Sequence, residues 1–225
     1  MKNKFLTLTA IVAVLFSACT KDVINTKPGE EITGGDYQSF AKGSTWQYQT
    51  SVHIPGTNNG TEVENSTITM TDGLYYMDNK TFHLAKSTTG TETENAFFGY
   101  NEHVYSIRQV DETVGNGESF TLPYLNAGLD AGATWTTTAS IPGTAAQVQI
   151  KTTMVEKGIS KTILGKTYTN VIHTWAEIQY KINNAYQTTL TYDFYIAKGV
   201  GMVGIYAKTP AGPLSDTELV GYSIK

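Results

Sequence analysis

The feature that most restricts this chain is a hydrophobic pattern of period two. In Ala146 to Met154 every even position but Thr152 is apolar and every odd position is polar. Tyr186, Leu190, Tyr192, Phe194 and Ile196 alternate in the same way with Gln187, Thr189, Thr191, Asp193 and Tyr195. Between Tyr168 and Ile182, one face carries Ile172, Ala176, Ile178, Tyr180 and Ile182, and the other His173, Trp175, Glu177, Gln179 and Lys181. Successive side chains of a strand point to opposite faces, so this pattern predicts strands with one face on a core. An abundance of Thr, Val, Ile and Tyr agrees. Turn sequences such as Pro55-Gly56, Asp72-Gly73, Asn116-Gly117, Pro142-Gly143 and Asn183-Asn184 cut the runs at hairpin spacing. The best helical candidate after residue 18 is Tyr124 to Gly132, weakened by Gly128 and Gly132. The expectation is an all-β protein with antiparallel pairing, as a curved sheet, half-barrel or sandwich.

The chain also repeats itself. Gly43-Ser44-Thr45-Trp46 matches Gly132-Ala133-Thr134-Trp135, and Ile54-Pro55-Gly56-Thr57 matches Ile141-Pro142-Gly143-Thr144. Lys80-Thr81-Phe82 matches Lys166-Thr167-Tyr168, and Phe97-Phe98 matches Phe194-Tyr195, all in the same order. Two similar meanders, about residues 40–110 and 129–207, are expected within one domain spanning 37–225. They would either pack together or continue one curved sheet.

The start of the chain carries an address. Lys2 and Lys4 precede the mostly apolar Phe5 to Phe16, and the small Ser17 and Ala18 lead directly to Cys19. These twelve residues fall short of the ~20 that a spanning helix needs but suit a secretory signal. Cys19 is the only cysteine, and bulky Phe16 stands where ordinary signal peptidase wants a small residue. Leu15-Phe16-Ser17-Ala18-Cys19 resembles a bacterial lipobox, and with Thr20-Lys21-Asp22 it looks like those of Bacteroidota lipoproteins. Residues 1–18 are therefore expected to be a lipoprotein signal peptide, with acyl chains, palmitate among them, on Cys19. Two or three such chains anchor stably where one is marginal. The polar stretch 19–36 is expected to be a flexible tether. Thr20 rather than Asp follows the cysteine, which leaves sorting to the outer membrane open; the expected location is the cell envelope, anchored at the outer membrane.

The Gly-x-Thr-Trp openings, Tyr168-Thr169-Asn170-Val171-Ile172 and Phe194-Tyr195-Ile196-Ala197-Lys198-Gly199-Val200-Gly201-Met202-Val203 resemble a group of uncharacterised bacterial lipoproteins over roughly residues 40 to 207. The resemblance implies an antiparallel β half-barrel, related in shape to lipoprotein carriers, closed by that tail. It supplies no catalytic residues.

Other motifs carry little chemistry. Gly199 to Gly204 spells G-x-G-x-x-G, but Ile205 to Pro210 continues as strand and turn, whereas a dinucleotide fingerprint must open a helix. The four histidines lack metal-ligand spacing, and no G-x-S-x-G occurs. Glu62 with Glu64, and Glu92 with Glu94, read as solvated hairpin positions. No cofactor, metal or enzymatic activity is expected. A net charge of −4 without a long basic run argues against nucleic acid, which is captured by clustered cations. The candidate ligand-binding residues are His173, Trp175 and Tyr195, which period two places on the less apolar faces of their strands; exposed rings stack on sugars or line apolar cavities. Two functional readings stand. One is a lipid-anchored protein holding an apolar ligand or glycan on a curved sheet. The other is a structural or adhesion protein working by protein contacts. The first requires an open concave face, the second an open edge or apolar patch.

Overall fold

A computed structural model describes residues 35–53, 61–77, 79–111, 118–140 and 147–225. The signal segment, Cys19 and residues 20–34 lie outside the described residues, as do the matching Ile-Pro-Gly-Thr words. The described chain forms twelve strands: β1 (Thr45–His53), β2 (Thr61–Met77), β3 (Lys80–Thr89), β4 (Glu92–Asn101), β5 (Val104–Asp111), β6 (Glu118–Asn126), β7 (Thr134–Ser140), β8 (Gln147–Ile163), β9 (Lys166–Ile182), β10 (Ala185–Ala197), β11 (Gly201–Thr209) and β12 (Gly212–Ser223). Tyr124 to Gly132 is the end of β6 followed by turns, not a helix.

All pairs are antiparallel, in one sheet ordered β6-β5-β4-β3-β2-β1-β12-β11-β10-β9-β8-β7. Each half is a six-stranded meander, and the halves join where the first strand pairs with the last, from Thr45↔Ser223 to Val52↔Ser215. The repeated Gly-x-Thr-Trp words open β1 and β7 with one geometry. Gly43 and Gly132 have φ of 83° and 87°, a left-handed conformation that glycine adopts without strain. Gly43 N donates to Met70 O, and Met70 N to Ser44 O, both at 2.9 Å. Gly132 N donates to Met154 O at 2.6 Å, and Met154 N to Ala133 O at 2.8 Å. The two meanders continue one curved sheet.

The sheet curls until one edge meets its own inner face. Thr174 Oγ1 on β9 donates to Tyr124 O on β6 at 2.6 Å, and Thr152 Oγ1 on β8 donates to Pro123 O at 3.3 Å. Across the interior, Trp46 Nε1 donates to Val200 O at 2.6 Å and Tyr48 OH to Met202 O at 2.9 Å, tying the first strand to the β10–β11 turn and the start of β11. The concave face is lined by Trp46, Tyr48, Phe98, Tyr105, Tyr124 and Phe194, with aliphatic side chains between them, all buried. One end is capped by residues 35–44. Asp36 O accepts from Gly199 N at 2.6 Å, and Phe40 stacks on His83 with centroids 4.2 Å apart. Gly35 and Asp36, placed in the tether by composition, thus already belong to the folded body.

Candidate functional site

The outer face of β8–β12 gathers the candidate residues. His173 lies opposite Tyr195, and Trp175 opposite Asp193, in the β9–β10 ladder. The His173 and Tyr195 rings stack in parallel, 4.4 Å apart at 11°. The alternation placed these positions on one face, and pairing two strands brings them together. Trp175 lies one ladder step along the same face, with 37% of its surface exposed.

A second element reaches over this face. β8 loses its regular register between Met154 and Lys161, where Gly158 has φ of 71°. Bulges bend and twist a strand, and the far part of the β8–β9 hairpin folds across β10 and β11. Ile163, 1% exposed, seats against Gly204. A Cβ at Gly204 would lie 3.1 Å from the Tyr206 ring and 3.2 Å from Ile163 Cδ1. Gly199 and Gly201 take φ of 75° and 110° at the β10–β11 turn. The G-x-G-x-x-G run is therefore a turn, a bend and a close approach, and no helix follows it.

The hairpin delivers Lys161, whose Nζ sits 3.9 Å from the Tyr195 ring centroid and 5.6 Å from that of Tyr206. Tyr206 meets Tyr195 edge-on at 5.8 Å and donates its hydroxyl to Glu218 Oε1 at 2.9 Å. Burial, and then Glu218 beside it, raise the Tyr206 hydroxyl's pKa above the usual tyrosine range. Asp193 is the hub of the charged groups. Its Oδ1 lies 2.8 Å from His173 Nε2 and its Oδ2 3.2 Å from Lys208 Nζ, while Glu156 Oε2 lies 3.8 Å from His173 Nδ1. Burial pushes the Asp193 carboxyl up, but hydrogen bonds from His173 and Lys208, with the Lys208 and His173 charges, outweigh it and hold the carboxyl below the usual range.

Chemically, this cluster is satisfied from within. The Tyr195 ring already contacts an imidazole and an ammonium, and the Asp193 carboxylate accepts at both oxygens. Cation–π and stacking contacts of this kind stabilise by about 0.5–1 kcal/mol each at partly exposed sites. Asp193, Lys161, Tyr206 and Lys208 complete the cluster beyond the three candidates. Asp193 shares the face of Tyr195 in the alternation. Nothing local in the sequence signals Lys161, whose placement depends on the bent hairpin.

Among the described residues the concave face is packed by its own side chains. The hollow bounded by Tyr48, Ile68, Phe98, Ile107, Met202, Ile205 and Thr217 has a volume of about 10 Å³, at the lower limit for one water molecule. The other histidines lie elsewhere: His53 beside Asp216 at 3.0 Å, His83 under Phe40, and His103 exposed in the β4–β5 turn. Among the described residues no three His, Cys, Asp or Glu side chains are grouped as metal ligands, and no helix is long and apolar enough to cross a membrane.

No protein-family model matches the chain, and no curated protein matches it. Among solved structures, it is similar to a protein from Bacteroides fragilis described as exported, with a YmcC-like fold. That match has 9% identity, covers 81% of this chain and 96% of the other, and has a TM-score of 0.48. It is also similar to a protein from Parabacteroides distasonis described as a lipoprotein, with 10% identity, coverage of 82% and 96%, and a TM-score of 0.49. Both likenesses are too slight to bear on function, and the fold rests on the chain's own strand pairing.

Proposed function

We propose that this protein is held at the cell envelope by a lipid on Cys19 and acts there through its outer surface, by contact with envelope protein rather than by carrying a small molecule. The observation that carries the second half is the filled concave face. A carrier of a lipid or glycan needs a pocket of several hundred Å³, about 300 at the least, whereas the hollow bounded by described residues of that face has about 10 Å³. The anchor rests on the lipobox-like run ending at Cys19, the chain's only cysteine. Membership of the Bacteroidota lipoprotein group and placement at the outer membrane belong to the same proposal, supported by the resemblance and by Thr20 after the cysteine. So does a non-enzymatic role, supported by the mutual pairing of the charged groups around Asp193.

The second reading keeps a ligand, moved to the outer face at His173, Trp175 and Tyr195; the exposure of Trp175 favours it. Metabolic labelling with an alkyne palmitate analogue tests the anchor. The wild-type protein is expected to be labelled and to pellet with membranes, and the Cys19→Ser protein to be unlabelled and released. An unlabelled wild type, with Cys19→Ser equally membrane-bound, overturns it. Glycan binding that disappears in Trp175→Ala would replace the contact reading with the second one.

A further inference from the structure

The sheet ends in two edges, and they are treated differently. At β6 the edge is blunted: Pro123 has no N–H to offer, and the Pro123 and Tyr124 carbonyls accept the Thr152 and Thr174 hydroxyls. At β7 no strand is paired on the outer side among the described residues. Thr134-Trp135-Thr136-Thr137-Thr138 carries no charge, no proline and no bulge opposite Thr153 to Gln149. Exposed edges normally carry such features, because an open row of N–H and C=O groups templates further pairing.

The register fixes which groups are free. Hydrogen-bonded and non-bonded pairs alternate along an antiparallel ladder. Gly132 and Ala133 bond Met154, so Trp135 and Thr137 turn their backbone groups to β8, and Thr134, Thr136 and Thr138 turn theirs outward. The side chains of Thr134, Thr136 and Thr138 are exposed, and those of Trp135 and Thr137 half-buried.

We propose that this edge pairs with the β7 edge of a second copy of the chain, antiparallel about a two-fold axis at Thr136. Thr136 then faces Thr136 of the second copy, and Thr134 faces Thr138. All three outward residues fall at hydrogen-bonded positions, giving about six backbone bonds. A charge at position 136 would face its own like across the axis, and Thr136 carries none. Threonine already faces threonine across ladders within the chain at Thr50/Thr217, Thr88/Thr93, Thr134/Thr153 and Thr162/Thr167, with hydroxyls 3.0, 3.0, 3.1 and 2.9 Å apart. Five residues a side make a small interface, so association is weak in dilute solution; two copies on one membrane meet at far higher effective concentration. Only this last point rests on the lipid anchor.

The test avoids the lipid. In the full chain carrying Cys19→Ser no thiol remains, so one added cysteine reports alone. Thr136→Cys places two thiols on residues about 5.5 Å apart, within disulfide reach. Thr138→Cys is equally exposed but lies far from its own mate. Disulfide-linked dimer is expected about tenfold faster for Thr136→Cys than for Thr138→Cys, and Thr136→Lys is expected to abolish concentration-dependent association in sedimentation velocity. Equal rates for the two cysteines, or association undiminished in a folded Thr136→Lys chain, overturn the proposal. Because the labelling experiment on Cys19 is separate, either conclusion can fail while the other stands.

Discussion

Trp46 and Trp135 open corresponding strands, yet only one of them is bonded. Trp46 donates to Val200 O in the interior, whereas Trp135 Nε1 is buried without a partner among the described residues. The words match because both openings need a left-handed glycine. The surroundings differ because β1 is paired on both sides and β7 on one. Trp46→Phe, which strands a buried carbonyl and leaves a gap, is expected to cost about 2–4 kcal/mol in urea unfolding. Trp135→Phe should cost about 1 kcal/mol or less; equal costs would deny the asymmetry. His83 is a second case that sequence could not foresee. It was one of four scattered histidines, but Phe40 caps it, and burial pushes its pKa from 6.5 down to about 4. The unfolded chain binds the proton first, so this group's contribution is whole above pH 6.5 and drains away as pH falls towards 4. Discounted for the solvent still near the ring, His83→Phe should lose about 2 kcal/mol less than wild type between pH 7 and 4. Parallel stability–pH curves would refute it.

At the scale of elements, the alternation carried the strands and their faces. The runs around Ala146 to Met154, Tyr168 to Ile182 and Tyr186 to Ile196 are β8, β9 and β10, with Ile172, Ala176, Ile178, Tyr192 and Phe194 buried as expected. Tyr186 and Ile182 are exposed instead, because they flank the β9–β10 turn, where the strands outrun the core. Thr152 was the one polar exception on the inner face of its run, and with Thr174 it turns out to mark the seam where β6 meets the sheet. Thr174→Val keeps shape but leaves Tyr124 O unbonded, and is expected to cost about 1–3 kcal/mol. Faster amide exchange in Thr121–Asn126 should accompany it, and unchanged exchange there would contradict the seam. The folded-over β8–β9 hairpin had no such marker. Its bulges are set by packing of Ile163 on Gly204 and Lys161 on Tyr195, contacts distant in sequence. Hence His173 and Tyr195 could be put on outer faces from their positions alone, but their being covered could not.

For the whole molecule, curvature decides what the protein can hold. A twelve-stranded sheet of this size could have enclosed a ligand, and its aromatic content suggested one. Among the described residues the aromatic rings instead pack into the hollow, with Tyr48, Tyr105, Tyr124 and Phe194 all buried inside. Composition gives the number of large side chains but not the radius they must fill, so the packing of the interior lay beyond the sequence. The proposed address is the reverse case: it rests on the sequence alone, on the run ending at Cys19. Native mass spectrometry of the protein released gently from membranes examines both together. The expected spectrum shows a chain bearing the mass of its acyl groups, alone or in pairs, with no further small molecule retained. A stoichiometric lipid or glycan remaining bound to the folded chain would contradict the contact reading on which this account stands.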